Sequence, residues 1–144
     1  MQNIKLNVLL VEDNMAHIRL TERALEKLNA NINLFIVYDG ESAISFIEKQ
    51  KQYSEAPDID LILLDLNLPG LDGRDFLRFI KQNAKYKDLP IVILTSSTAE
   101  ADVRQSYANQ ANAYICKPIS AEGFIDAISS IKAFWLETVI YPKA

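Results

Sequence analysis

The amino-acid sequence predicts an α/β protein built on one doubly wound, five-stranded parallel sheet. Short apolar runs alternate with longer amphipathic stretches along the chain, which is the pattern of repeated right-handed βαβ crossovers. The length of 144 residues is typical of one domain, whereas an eight-unit barrel needs at least about 200 residues. No repeat, low-complexity tract or flexible linker marks a boundary, so residues 1–144 are predicted to form a single domain.

Five apolar runs predict the strands. The third and fourth runs are nearly continuous, as expected of strands that helices cover on both faces. Five βα units fit the flavodoxin-like order, in which ligands bind outside the carboxyl ends of the strands. The predicted strands are Ile4–Val11, Ile32–Tyr38, Ile59–Leu66, Ile91–Thr95 and Ala113–Cys116.

The stretches between these strands carry apolar residues at helical spacing, with charged residues on the opposite face. The fourth stretch is helical in composition but only weakly amphipathic. Helices are predicted around residues 20–28, 43–47, 76–80, 100–110 and 124–131.

The composition and the charge exclude several classes of protein. The 15 basic and 19 acidic residues give a formal net charge of −4, and no Lys/Arg run is present, so nucleic acid and anionic membranes are poor candidate partners. The single cysteine, Cys116, excludes an intrachain disulfide and a Cys-rich zinc site. The N-terminal stretch MQNIKLNVLLVEDN is neither a cleavable signal nor a membrane span. We therefore expect a cytoplasmic protein.

Polar side chains follow four of the five predicted strands and should converge on one rim of the sheet. Each of them alone also fits a helix cap, a turn or a solvated charge, so only their convergence favours a site. Clustered carboxylates repel one another unless a small hard cation such as Mg²⁺ neutralises them. A carboxylate beside such a cation and a lysine can accept a phosphoryl group. The residues are Glu12 and Asp13 after the first strand, Asp65 at the end of the third, Thr95 at the end of the fourth and Lys117 after the fifth.

The motifs VEDN, LLDLNLPGLDG, ILTSS and YICKP together resemble the receiver domain of two-component response regulators. The resemblance extends from about Lys5 to Ile131. It implies that Asp65 accepts a phosphoryl group from a sensor histidine kinase. It also implies a Mg²⁺ site made by Glu12, Asp13, Asp65 and the backbone carbonyl of Asn67, with Asp13 a direct ligand and Glu12 acting largely through water.

The same resemblance implies a conformational switch. Thr95 would move toward the phosphoryl group, Lys117 would pair with it, and Tyr114 would swing inward and repack the surface of the fourth helix, fifth strand and fifth helix. The Lys117–Pro118 peptide bond is expected to be cis. The only chemistry expected of such a protein is its own phosphoryl transfer and autodephosphorylation, so it is not otherwise an enzyme.

Residues 133–144 form an apolar C-terminal extension that a receiver ending at its fifth helix does not need. With the polar insertion 50–58, this extension is similar to stand-alone response regulators encoded beside bacterial phytochromes. That similarity implies a phytochrome-type kinase as phosphodonor and a homodimer, with an interface that includes Phe134, Trp135 and Leu136. The alternative is an intrachain lid. No effector domain is expected to follow, so the output is expected to act on a separate, unidentified target.

Two other functions remain open at this point. A phosphohydrolase of the haloacid dehalogenase type places its nucleophile after the first strand in a DxD pattern, whereas here that strand ends in Glu12 and Asp13 and the presumptive acceptor belongs to the third strand. A non-phosphorylated receiver-like adaptor would be expected to have lost one of the site residues, and this chain retains all of them. His17 is interpreted as a surface or packing residue, and Cys116 as a small apolar residue of the fifth strand.

Overall fold

The computed structural model describes residues 5–142. Ile4, at the start of the first predicted strand, and positions 143 and 144 of the C-terminal extension lie outside the described residues. The strands are β1 (Leu6–Val11), β2 (Ile32–Val37), β3 (Leu61–Leu64), β4 (Ile91–Thr95) and β5 (Ala113–Cys116). The helices are α1 (Met15–Lys27), α2 (Gly40–Ile47), α3 (Gly73–Gln82), α4 (Glu100–Ala108) and α5 (Ala121–Ile131), with a 3₁₀ turn at Lys51–Tyr53 and a π-helical turn at Lys132–Leu136.

The five strands form one parallel sheet in the order β2-β1-β3-β4-β5. The chain therefore leaves β1 in one direction to make β2 and returns to the other side of β1 to make β3. The strand order reverses between β1 and β3, and in open α/β sheets the ligand crevice lies at the carboxyl ends of such a pair. The predicted fold class is confirmed.

Alternate residues of each central strand point to opposite faces of the sheet, which creates two cores. Leu9 and Leu64 lie on the face that α2 and α3 cover, whereas Leu10 and Leu63 lie on the face that α1 and α5 cover. Both faces of these strands are buried, which explains the unbroken apolar runs of β3 and β4 in the sequence.

Four of the five α-helices begin at a residue whose side chain accepts a hydrogen bond from a backbone N–H of the first turn: Asn14, Asp39, Asp72 and Ser120. Such caps stabilise a helix by about 1 kcal/mol each. Helix α4 begins without a side-chain cap in the part of the chain that the structure describes, and its one fully buried residue there is Ser106. The weak amphipathicity of this stretch thus corresponds to a helix that buries little of its surface.

Strand β5 lies at the edge of the sheet beside α4, and its residues are only partly buried. Cys116 is exposed, so the interpretation of this thiol as a packed apolar residue was wrong. The physical reason is its position as the last residue of an edge strand, where helix cover ends.

The C-terminal extension continues α5 through the π-helical turn and folds back on the α1/α5 side of the sheet. Trp135, Leu136 and Tyr141 are partly buried against that core, and the Tyr141 hydroxyl donates a hydrogen bond to the backbone carbonyl of Trp135. Phe134 and Ile140 instead remain 52% and 97% exposed. One side of the extension therefore covers its own domain while the other side stays open to solvent.

Among residues 5–142, the structure contains no helix that is both long enough and apolar enough to span a membrane.

Candidate phosphoryl-acceptor site

Asp65 follows β3 directly, and its carboxylate is held by three donors from different parts of the chain. The Thr95 hydroxyl donates to Asp65 Oδ1 over 2.7 Å, and the backbone N–H of Asn67 donates to the same oxygen over 3.2 Å. The Lys117 ammonium donates to Oδ2 over 3.2 Å. These three donors fix the orientation of the carboxylate. Asp65 is 7% exposed, so a small part of it still meets solvent.

Lys117 connects Asp65 to the acidic pair that follows β1. Its ammonium donates a hydrogen bond to Glu12 Oε1 as well as to Asp65, and its side chain is 2% exposed. Glu12 is itself buried, and its second oxygen accepts from the backbone N–H of Asn14 over 3.2 Å. Burying an ammonium is costly unless it is paired and hydrogen-bonded, so Lys117 and the two carboxylates depend on one another.

The carboxylates of Glu12, Asp13 and Asp65 can present one oxygen each within 4.8 Å of the others. Glu12 and Asp65 are buried, whereas Asp13 is exposed. Three carboxylate oxygens this close together are the donor set that a hard divalent cation such as Mg²⁺ prefers. The residues present therefore fit such an ion.

The two buried acids respond to this environment in opposite directions. Burial raises the pKa of Glu12 to about 7, although the hydrogen bond from Lys117 works against this change. Burial also acts to raise the pKa of Asp65, but the Thr95 hydrogen bond and the Lys117 charge outweigh it, and the pKa of Asp65 is lowered. Asp65 is therefore ionised at neutral pH, whereas Glu12 takes up a proton near pH 7.

Gly73 allows α3 to begin directly behind Asp65. A Cβ atom at this position would lie 2.2 Å from the backbone carbonyl oxygen of Asp65 and 2.6 Å from Cα of Leu66. Both contacts are with backbone atoms, which cannot rotate away. The backbone N–H of Gly73 donates to the carbonyl of Leu66 over 2.9 Å, so the helix and the end of β3 form one rigid unit.

A second hydrogen-bonded network links the β4–α4 loop to its neighbours. The Tyr114 hydroxyl donates to the backbone carbonyl of Ser97 over 3.0 Å, and the Ser97 hydroxyl donates to Asp102 over 2.6 Å. Arg74 of α3 pairs with both oxygens of Asp102 through contacts of 3.0 and 2.9 Å. Burial raises the pKa of Tyr114, so its phenol remains protonated and can donate. The β4–α4 loop is thus linked to β5 through Tyr114, to α4 through Asp102 and, through Asp102, to α3.

The family described as response regulator receiver domain matches residues 8–129 of the chain, which includes every site residue described above. The chain belongs to this family. The resemblance inferred from the motifs is thus confirmed.

Individual receivers give the same result. Response regulator Rcp1 of Synechocystis is 42% identical over 137 residues, which are 95% of this chain and 93% of Rcp1. The match to the Mn²⁺-bound structure of Rcp1 has a TM-score of 0.91 and covers 95% of this chain and 99% of that one. The phosphorylated cyanobacterial phytochrome response regulator RcpA is 37% identical with a TM-score of 0.93, over 97% of this chain and 100% of that one. A response regulator in red light signaling of R. palustris is 28% identical with a TM-score of 0.89, over 96% and 99% of the two chains.

The receiver fold brings together five residues that the sequence predicted for the site: Glu12, Asp13, Asp65, Thr95 and Lys117. Asn67 lies beside them, with its backbone N–H on Asp65, and its carbonyl stays a predicted metal ligand. Tyr114 is partly buried against the α2/α3 core. The roles of these residues in phosphoryl transfer stay predictions at this point.

One expectation for the receiver was wrong. The Lys117–Pro118 peptide bond is trans, as are the other peptide bonds among residues 5–142. The trans form of an X–Pro bond is favoured by about 0.5–1 kcal/mol where no contact demands the cis form.

Sequence reasoning missed two features of this receiver site. His17 was interpreted as a surface or packing residue, and its ring does pack 5.9 Å from that of Phe124, but its Nδ1 also lies 3.0 Å from the Lys117 ammonium. Arg74 and Asp102 were not singled out, since 28 residues separate them. The one available signal was position, since His17 falls in the first helical turn after the acidic pair.

Proposed function

We propose that this receiver accepts a phosphoryl group on Asp65 from a sensor histidine kinase and thereby switches its α4–β5–α5 surface. The observation that carries the proposal is the ionised, buried carboxylate of Asp65, which is oriented by Thr95 and Lys117 beside a cluster of two further acids. A carboxylate held in this way can act as a nucleophile toward phosphorus.

In the proposed transfer, an oxygen of Asp65 forms a bond to phosphorus while the P–N bond of the donor phosphohistidine breaks. The electron pair of that bond returns to the imidazole of the kinase. The Thr95 hydroxyl and the Lys117 ammonium already donate to Asp65. The same two groups are therefore placed to donate to the new phosphoryl oxygens. Glu12, Asp13, Asp65 and the carbonyl of Asn67 would hold Mg²⁺, which when bound neutralises negative charge on the phosphoryl oxygens.

The proposed switch uses the β4–α4 loop and the two elements that follow it. Thr95 is the last residue of β4, and Ser97 follows two residues later in the loop that the Tyr114 hydroxyl holds. A pull on Thr95 by a phosphoryl group would therefore be transmitted to this loop, to the uncapped helix α4 and to the edge strand β5. The interaction surface for a downstream target is proposed to lie there.

The donor is proposed to be a histidine kinase of the phytochrome type. This proposal is supported by the similarity to RcpA, a phosphorylated cyanobacterial phytochrome response regulator, and to a receiver in red light signaling. A cytoplasmic mode of action without nucleic-acid contact is proposed with it. The alternative, an adaptor that is never phosphorylated, is disfavoured because no site residue has been lost.

Intact-protein mass measurement after incubation with acetyl phosphate tests the proposal. We expect a gain of one phosphoryl group that depends on Mg²⁺. Because some receivers accept only from their kinase, a phytochrome-type kinase that has been autophosphorylated serves as the second donor. Absence of any gain from both donors, under conditions that label another receiver, would favour the adaptor.

The affinity for Mg²⁺ is expected to depend on pH through Glu12. Its pKa of about 7 means that lowering the pH from about 8 to about 6 protonates this carboxylate, and cation binding must then displace the proton. The apparent affinity should fall up to roughly tenfold per pH unit below the pKa. Isothermal titration calorimetry with Mg²⁺ measures this change. The Glu12→Gln variant should bind more weakly with little dependence on pH in this window, and a flat profile for the native chain would contradict the prediction.

Self-association through the C-terminal extension is also proposed. Substitutions of two adjacent residues distinguish such an interface from an intrachain lid. Phe134 is exposed while Trp135 packs on its own domain. We expect Phe134→Ala to weaken the homodimer in sedimentation velocity with little change in stability. Trp135→Ala should instead lower the free energy of unfolding by about 2 kcal/mol, because it removes a partly buried aromatic ring. An unchanged sedimentation profile for Phe134→Ala would argue for the intrachain lid.

A further inference from the structure

We propose that His17 is a positioning residue for phosphoryl transfer, because its Nδ1 accepts a hydrogen bond from Lys117 and keeps the ammonium directed at Asp65. This inference rests on the proposed phosphorylation of Asp65, and it adds a residue that neither the motifs nor the metal site includes.

The hydrogen-bond requirements of Lys117 carry the argument. An ammonium has three N–H donors and no acceptor. The three partners in the structure are Glu12 Oε1, Asp65 Oδ2 at 3.2 Å and His17 Nδ1 at 3.0 Å. With the side chain only 2% exposed, little of the ammonium can be hydrated instead. His17 therefore completes a set of three directions that leaves the group no freedom to rotate.

The imidazole is itself held in place. The backbone N–H of His17 donates to the Asn14 side chain over 3.1 Å, and its carbonyl accepts from the Thr21 hydroxyl over 2.8 Å. Its ring lies against Phe124 of α5, tilted by 32°. These contacts fix the first turn of α1, so Nδ1 is presented to Lys117 from a rigid element. Because an ammonium cannot accept, Nδ1 must be the unprotonated nitrogen of the ring.

Two carboxylates compete for the same ammonium, which explains why a third partner matters. Lys117 forms an ion pair with Glu12 as well as with Asp65. Without His17, the ammonium would lose one of the contacts that fix its direction and could turn away from Asp65 toward Glu12 or solvent. A small misplacement of a catalytic group can cost up to about 100-fold in rate.

Two substitutions at position 17 distinguish positioning from packing. His17→Asn keeps an acceptor, because its Oδ1 lies at the same branch of the side chain as Nδ1, but it loses the ring contact with Phe124. His17→Leu keeps apolar contact and has no acceptor. We expect His17→Leu to slow Mg²⁺-dependent phosphorylation by acetyl phosphate about tenfold, and His17→Asn to stay within about twofold of the native rate. Met15→Leu, an exposed change in the same helical turn, is the matched control.

A measurement of the native chain needs no phosphoryl donor. The chain contains a single histidine, so ¹⁵N-resolved spectra of its imidazole give one pair of signals, and we expect Nδ1 to be an unprotonated, hydrogen-bonded acceptor. A proton on Nδ1 would overturn the proposal, as would equal phosphorylation rates for His17→Leu and the native chain, or equal slowing in both variants. Failure of the native chain to be labelled by both acetyl phosphate and the autophosphorylated kinase would instead reject the proposed function, and the spectra would still decide the hydrogen bond to Lys117.

Discussion

Asp65→Asn is expected to abolish phosphoryl uptake from acetyl phosphate and from the kinase. The amide cannot attack phosphorus, and no other carboxylate in the described site combines a lowered pKa with hydrogen bonds from both Thr95 and Lys117. The amide oxygen can still accept from the Thr95 hydroxyl, and Glu12 remains as a partner for Lys117. We therefore expect the fold to be preserved. Intact-protein mass measures the loss of phosphoryl uptake, and circular dichroism checks the fold.

Asp58→Asn is the matched control for this experiment. Asp58 has an exposed side chain paired with Lys49 and precedes β3, so it lies at the opposite end of that strand from Asp65. It should be labelled like the native chain. Retention of the phosphoryl group by the Asp65→Asn protein would show that another residue is the acceptor.

Gly73→Ala is expected to destabilise the fold strongly, although it adds only one methyl group. In an exposed helix, replacing glycine by alanine stabilises by about 1 kcal/mol. Here the new Cβ would lie 2.2 Å from the Asp65 carbonyl oxygen, so α3 must move away from the end of β3. Overpacking of this kind typically costs about 1–3 kcal/mol, and we expect a loss near the upper end because the clash is with backbone.

The displacement should also disturb function, since the moved backbone is that of the acceptor. We expect slower phosphorylation of the folded fraction, measured by mass gain, alongside a reduced free energy of unfolding in urea. Gln82→Ala, at the exposed end of the same helix, should leave both quantities unchanged. A Gly73→Ala protein as stable as the native chain would mean that α3 is not packed against β3 as the structure has it.

The site could be predicted from sequence because of a general property of parallel sheets. All five strands end at the same edge, so residues that directly follow the apolar runs must share that edge. The three residues Glu12, Asp65 and Lys117 are far apart in the chain, but each lies at the carboxyl end of an apolar run. The position of a residue relative to a strand end is local information, and it sufficed to place these three together.

The weak helix prediction for residues 100–110 was informative in the same way. Its low amphipathicity is a local property of the sequence, and the structure gives it a physical meaning. Helix α4 lacks a side-chain cap in the described chain and buries little, which suits an element proposed to move. The same reasoning failed for Cys116, because burial of an edge strand depends on what lies beside it.

The sequence by itself thus determined the fold class, the family and the five side chains at the crevice, since apolar periodicity and motif position are properties of short segments. Only the tertiary structure decided which atoms meet. The contact of His17 with Lys117 joins residues 100 positions apart, and the fit of Gly73 behind Asp65 depends on the exact approach of α3 to β3. The division of the C-terminal extension into a packed and an exposed side depends on how its turn leaves α5. These distances follow from the packing of elements against one another, which spacing along the chain does not encode.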